Sequence, residues 1–240
     1  EAYLNFAQGS VGKVTPAAKA LIAAYYGQGP RRSYFDGCST GGREAMLVTE
    51  RYPTEFDGVI SGDPAMETGY SNLGLYWAQA AFNRFAPKDA AGKPEAQKLL
   101  SQADRKLVVK ALLDACDGLD GQKDGLIFNP GACHFDPAVL TCKGAKSDAC
   151  LTADQVEAIK LAFSGPRTRT GVLVYPAFPY DAGIADRGQG LPGMLQSLGG
   201  GPVGGAGQAT QVGVDKAAAD LARNGEQELV DTAVWTNLTT

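Results

Sequence analysis

A chain of 240 residues, 44% of them hydrophobic, is long enough to bury one large core or two modest ones and too apolar to be disordered throughout. A net charge of -4, with Lys and Arg scattered, leaves no basic stripe to follow a phosphate backbone and argues against a nucleic-acid partner. No apolar run reaches the length of a membrane span, and Glu1-Ala2-Tyr3 lacks the charged and apolar regions of an export signal, which would have to lie upstream or have been removed.

In chain order, Thr15-Pro16 reads as an N-cap and first helical residue, Ala17 to Tyr26 as a helix, and Gly27 as its close. Gly29-Pro30 breaks the chain, and Ser33-Tyr34-Phe35 is a short β-prone run. A sharp turn, Gly37 to Gly42, leads into a helix from Arg43 to Tyr52, with Ala45, Met46, Val48 and Thr49 on its inner face and Pro53 as its stop. Phe56 to Ser61 reads as a second strand. Helix, strand, tight turn, helix, strand is the grammar of a parallel sheet with covering helices, so the fold class is α/β.

The character changes near Pro64. Residues 67–85 are rich in aromatics, Leu107 to Cys116 is amphipathic, 118–150 is rich in Gly, Asp and Cys, and Thr152-Ala153-Asp154 opens a helix through Phe163. Leu191 to Gly213 is Gly-rich and irregular, and Lys216 to Arg223 reads as a last helix. The expected organisation is a sheet-forming core at 1–65 followed by a mostly helical and irregular domain at 66–240.

Gly37-x-Ser39-x-Gly41 matches the pattern that sets a serine on a strained strand-to-helix turn. Small residues flank the serine because the turn crowds its neighbours. Its hydroxyl stands at a helix N-terminus, where free N–H groups and the helix dipole favour a developing oxyanion. The amide of Thr40 is the expected oxyanion donor. With 31 glycines in the chain, the pattern arises by chance in roughly one such sequence in five. The strand before it and the helix and strand after it favour the functional reading.

Five cysteines, Cys38, Cys116, Cys133, Cys142 and Cys150, include no Cys-x-x-Cys pair. That disfavours zinc and favours two local disulfides among the last four, hence an oxidising compartment, secreted or periplasmic. Asp117, Asp120 and Asp124 alternate with Gly118, Gly121 and Gly125. Crowded carboxylates repel unless a cation neutralises them, and oxygen-only ligation suits calcium. An ordinary solvated Asp-Gly turn explains the same residues, and the spacing alone leaves both readings open.

Tyr34-Phe35-Asp36-Gly37-Cys38-Ser39-Thr40-Gly41-Gly42-Arg43-Glu44, Arg51-Tyr52-Pro53 and Asp57-Gly58-Val59-Ile60-Ser61-Gly62-Asp63-Pro64-Ala65 closely resemble the tannase and feruloyl esterase family. So do Cys116 to Gly121, Asp124 to Ile127, Pro130, Cys133 and Phe135-Asp136-Pro137, an independent motif in the family's order. The resemblance covers most of the chain and weakens after about residue 180. It implies a partial α/β-hydrolase core followed by a lid domain, with Ser39 as nucleophile and Thr40 as an oxyanion amide. A structural calcium ion would be held by the side chains of Asp117, Asp120 and Asp124 and by the carbonyls of Gln122 and Leu126. Implied disulfides are Cys116–Cys133 and Cys142–Cys150. The implied substrate is a small aromatic ester, hydroxycinnamoyl, galloyl or related, cleaved through an acyl-enzyme, with no nucleic-acid or membrane partner.

Departures from the family pattern matter as much. Cys38 lacks its usual mate and is expected to bond a cysteine outside this chain. The single histidine, His134, follows Cys133 and reads as a structural or surface residue. The catalytic Asp and His are therefore expected beyond Thr240, and the chain reads as an internal fragment. Tyr76, Trp77, Phe82, Tyr175, Phe178 and Tyr180 are candidates for an aromatic pocket, although such residues are more often core. The rival readings are a catalytically incompetent calcium-binding remnant and an amide-cleaving hydrolase.

Overall fold

The computed structural model describes residues 4–66, 68–186, 215, 216, 218 and 219. The chain divides into two compact units, the first ending at Thr68 and the second starting at Gly69.

In the first unit a π-helical turn, Asn5–Gly9, runs into helix α1, Ser10–Tyr26. Strand β1 is Tyr34–Ser39, helix α2 Thr40–Arg51 and strand β2 Gly58–Pro64. The two strands pair in parallel, in register from Tyr34 opposite Gly58 to Cys38 opposite Gly62, with α2 as the crossover. This is the expected strand–helix–strand unit. Helix α1, however, starts before Thr15-Pro16 and carries Pro16 in its interior. Tertiary contacts override the local signal: the Tyr52 hydroxyl donates to the Gln8 carbonyl at 3.2 Å and Arg51 to the Gln8 side chain at 2.6 Å. A side chain at Gly12 would run into the Tyr52 ring.

Helix α2 buries Gly42, Ala45 and Val48 as its inner stripe, but Met46 and Thr49 are exposed rather than inward. Strand β2 begins two residues later than Phe56 because that segment is engaged elsewhere. The Phe56 ring packs edge-on against Phe35 with centroids 5.4 Å apart, and the Asp57 amide donates to the Ser33 carbonyl at 2.7 Å. The Ser33 N–H and the Arg32 guanidinium also bond the Asp57 carboxylate and hold its pKa below the ordinary carboxylate value.

The second unit is helical. The aromatic segment forms helix α3, Thr68–Phe85, an element that its composition alone does not predict. Helix α4, Gln102–Cys116, starts five residues before Leu107 because Ser101 and Asp104 form a capping box. Thr152 and Gln155 cap helix α5, Ala153–Phe163, in the same way. Short 3-10 turns join these helices. One cluster forms the core, with Phe82 of α3, Leu100, Val108 and Leu112 of the α4 region, Leu151, and Val156 and Ile159 of α5. Residues 215, 216, 218 and 219 are helical. The rest of the helix expected at Lys216–Arg223, and the Gly-rich stretch 191–213, lie outside the described residues.

Two disulfides close within this unit, Cys116–Cys133 and Cys142–Cys150, with Cα atoms 5.3 and 4.9 Å apart. They use four of the five cysteines. The expectation that Cys38 bonds a cysteine outside the chain is corrected accordingly: the disulfides are satisfied internally, and Cys38 is a free, exposed thiol at the end of β1. Among the described residues, no helix is long and apolar enough to cross a membrane.

Candidate active site

Ser39 ends β1 with φ 59° and ψ -118°, and α2 begins at the next residue. Positive φ is costly for a non-glycine residue and persists only where neighbours enforce it. The enforcement here is steric. A side chain at Gly37 would strike the Gly41 carbonyl, and one at Gly42 would strike the Gly62 carbonyl and Pro64. Gly41 faces open space, so the third position of the motif is not sterically required. The demand falls instead on Gly42, one residue outside the motif.

Ser39 is the N-cap of α2, yet its side chain makes no capping hydrogen bond. The residue is exposed, and its side chain is not committed to the helix. No acidic residue occupies the first turn of α2, so no fixed negative charge on that turn opposes an anion at its N–H groups. Around the turn, the Ala65 N–H donates to the Ser39 carbonyl at 3.0 Å, and Ser61 Oγ donates to the Gly42 carbonyl at 2.9 Å. The end of β2 thus holds both sides of the elbow. Thr40 directly follows Ser39 and is exposed. This unit contains no histidine, because the single His134 lies in the second unit, exposed beside Cys133.

The acidic loop leaves α4 through a 3-10 turn, Asp117–Asp120. Gly121 and Gly125, at φ 95° and 82°, curl it in a way that side-chain-bearing residues rarely adopt. Backbone N–H groups orient each carboxylate. Asp117 Oδ1 accepts from Asp124 and Gly125 at 3.2 and 3.0 Å, and Asp120 accepts from Gln122 and Phe128 at 2.9 and 3.1 Å. Asp124 accepts from Leu126 at 3.0 Å. Cys116, buried in the core, ties the loop down through Cys133. Among the described residues, no three acidic, cysteine or histidine side chains meet as a ready-made metal cluster. The fit to a cation rests on donor chemistry: carboxylates and backbone carbonyls, all hard oxygen, on a largely exposed loop with two glycine bends.

Of the aromatic candidates, Tyr76, Trp77 and Phe82 are core residues, each 2% exposed or less. Trp77 Nε1 donates to the Leu161 carbonyl at 2.6 Å. Tyr180 meets Phe135 edge-on and lies tilted against Phe163, and burial pushes its phenol up to about 12. Tyr175 and Phe178 are the more open pair, 6.1 Å apart, and both pack against Gly74 of α3.

A strained serine between a parallel strand and a helix defines an elbow of the α/β-hydrolase type. The chain belongs to the tannase and feruloyl esterase family, whose model matches residues 1–235. It is 37% identical over 211 residues to a mono(2-hydroxyethyl) terephthalate hydrolase of Piscinibacter sakaiensis, covering 83% of this chain and 34% of that protein. A probable feruloyl esterase B-2 of Aspergillus terreus is 35% identical over 173 residues, covering 72% and 31%. The crystal structure of an esterase from Aspergillus oryzae superposes with a TM-score of 0.61 at 26% identity, covering 95% of this chain and 42% of that one. A feruloyl esterase B structure from the same organism shares the fold, with a TM-score of 0.65 at 23% identity, covering 95% and 45%. The chain spans about a third of the length of the curated relatives it matches. Its parallel strand pair and flanking helices are part of an α/β-hydrolase core.

Proposed function

We propose that the whole protein is a serine carboxylester hydrolase that cleaves aromatic esters, hydroxycinnamoyl, galloyl or related phenolic, through an acyl-enzyme at Ser39. The observation that carries this reading is the backbone of Ser39, strained and exposed at a helix N-terminus with its hydroxyl free of any capping bond. Ser39 Oγ attacks the ester carbonyl carbon and gives up its proton to a base. The carbonyl oxygen becomes an oxyanion and accepts from the Thr40 N–H. Collapse expels the alcohol, which takes the proton back from the base, and leaves the acyl group on Ser39. Water, deprotonated by the same base, releases the acid and restores the serine. The unit that holds Ser39 contains no histidine to serve as that base. Support comes from the family match and from relatives whose names describe feruloyl and terephthalate ester cleavage.

The proposal extends to calcium at the acidic loop, held by Asp117, Asp120 and Asp124 and by the carbonyls of Gln122 and Leu126. When bound, it would neutralise the three carboxylates and stiffen the loop. Two internal disulfides support export to an oxidising, secreted or periplasmic compartment. The decisive experiment is Ser39→Ala in the full-length protein. Activity on methyl ferulate should fall by at least about 10³-fold, and labelling by a fluorophosphonate should vanish. Turnover that survives the substitution would end this reading.

A further inference from the structure

Among the described residues, Ser39 and Asp63 are the two non-glycine residues with positive φ, at 59° and 39°. They lie at the same junction. The parallel register holds through Cys38 opposite Gly62 and then slips, so that Ser39 faces Pro64 and Asp63 is the extra residue on β2. Such a one-residue bulge bends its strand and re-aims the residues after it. Pro64 has no N–H to give, so the first backbone donor after the bulge is that of Ala65, and it bonds the Ser39 carbonyl at 3.0 Å. Pro64 also lies so close to Gly42 that a side chain on Gly42 would strike it.

We infer that Asp63 is a positioning residue for Ser39: its left-handed backbone makes the bulge that carries Pro64 and Ala65 across the elbow and clamps the Ser39 carbonyl. Strain at the serine survives only if something opposes its relaxation, and the Ala65 N–H supplies a hydrogen bond to that peptide from outside the helix. Asp suits the position because Asp, Asn and Gly tolerate left-handed φ, whereas a β-branched residue does not. A regular strand would place residue 63 opposite Ser39 and shift every later group by one, turning the clamp away.

This inference rests on Ser39 being the nucleophile, and the test separates the two. In the full-length protein, Asp63→Val should lower kcat on an aryl ester and the rate of fluorophosphonate labelling by roughly tenfold or more, with KM within about twofold. Asp63→Asn and Asp63→Gly should restore both to within about twofold of the original rates. Hydrogen exchange should find the Ala65 amide protected in the unaltered protein and exposed in Asp63→Val. The inference is overturned if the folded Val variant labels at the original rate, or if the unaltered Ala65 amide exchanges like a free peptide. Should Asp63→Val not fold, Asp63→Ala is read against Asp63→Gly by the same criteria. Absence of labelling in the unaltered protein would sink the nucleophile reading instead, and exchange at Ala65 would then decide the clamp.

Discussion

Leu21 and Leu112 each sit well inside a helix, yet Leu21 is 71% exposed and Leu112 is fully buried. The contrast holds for their surroundings. None of the residues of α1 is buried, and Val14 and Ile22 line an open cavity of about 530 Å³ together with Phe35 and Phe56. Helix α4 buries Val108, Leu112 and Cys116 in a continuous core held by two disulfides. The first unit carries the strained serine on little buried apolar surface, whereas the second carries packing, cross-links and a partly buried ion pair. Stability and the proposed chemistry are therefore lodged in different parts of the chain, and substitutions should sort by unit.

Leu112→Ala should give the largest effect on stability. A fully buried leucine replaced by alanine loses its transfer energy and leaves a cavity, about 2–5 kcal/mol together. The loss should appear as a lower denaturation midpoint for the second unit. A loss below about 1 kcal/mol would show that the core is looser than its burial indicates. Next comes the Cys116–Cys133 bridge, with a sequence separation of 17. Its removal as a double serine variant should cost about 3 kcal/mol, against roughly 2.5 kcal/mol for the shorter Cys142–Cys150 loop. If the acidic loop holds calcium, added calcium should raise the melting temperature of the unaltered protein, and less so after Cys116 and Cys133 are replaced.

Legibility followed locality. The elbow depends on residues 37–42, all within one turn, and their spacing is legible in the sequence alone. Its enforcement is only partly legible there, because Gly42 is required by Gly62 and Pro64, about twenty residues away. The bulge leaves a faint trace in Gly62-Asp63-Pro64, a turn-forming triplet that reads equally well as the end of a strand. Pro16 misleads because a proline signals a helix start, while Gln8, Arg51 and Tyr52 hold the turn upstream of it. Helix α3 escapes a periodicity argument because its aromatics are spread around the helix rather than along one stripe, with Tyr76, Trp77 and Phe82 all buried. The free Cys38 contradicts an expectation that rests on the family pattern rather than on its own surroundings.

A smaller and pH-dependent effect belongs to Asp104, whose side chain is 4% exposed and accepts from Lys146 at 2.6 Å. Gln155 Nε2 and the Ser101 N–H also donate to it, at 3.1 and 2.9 Å. Burial alone would raise its pKa, but the bonds from Lys146 and Ser101 outweigh burial and hold it below the ordinary carboxylate value. A carboxylate with a depressed folded-state pKa contributes stability that is complete above its unfolded value, about 3.9, and lost as pH falls through the folded value. Lys146→Met should therefore cost roughly 2 kcal/mol at neutral pH. That deficit should shrink as pH falls through the folded-state values, because folded Asp104 takes up its proton at a higher pH without Lys146 than with it. A deficit that stays constant from pH 7 to pH 3 would assign the loss to packing of the Lys146 stem instead.

Leu21→Ser probes the opposite pole. A side chain that is 71% exposed has little apolar contact to lose, and serine is only slightly poorer than leucine inside a helix. The expected change in the unfolding free energy of this chain is therefore within about 0.5 kcal/mol, several times smaller than for Leu112→Ala. The two leucines differ in surroundings rather than chemistry, so the ratio of their effects measures burial directly. A cost of 2 kcal/mol or more at Leu21, well above the roughly 0.5 kcal/mol expected of a surface site, would mean that the α1 face is covered in solution. Analytical ultracentrifugation of the same sample would then show whether a second copy of the chain covers it.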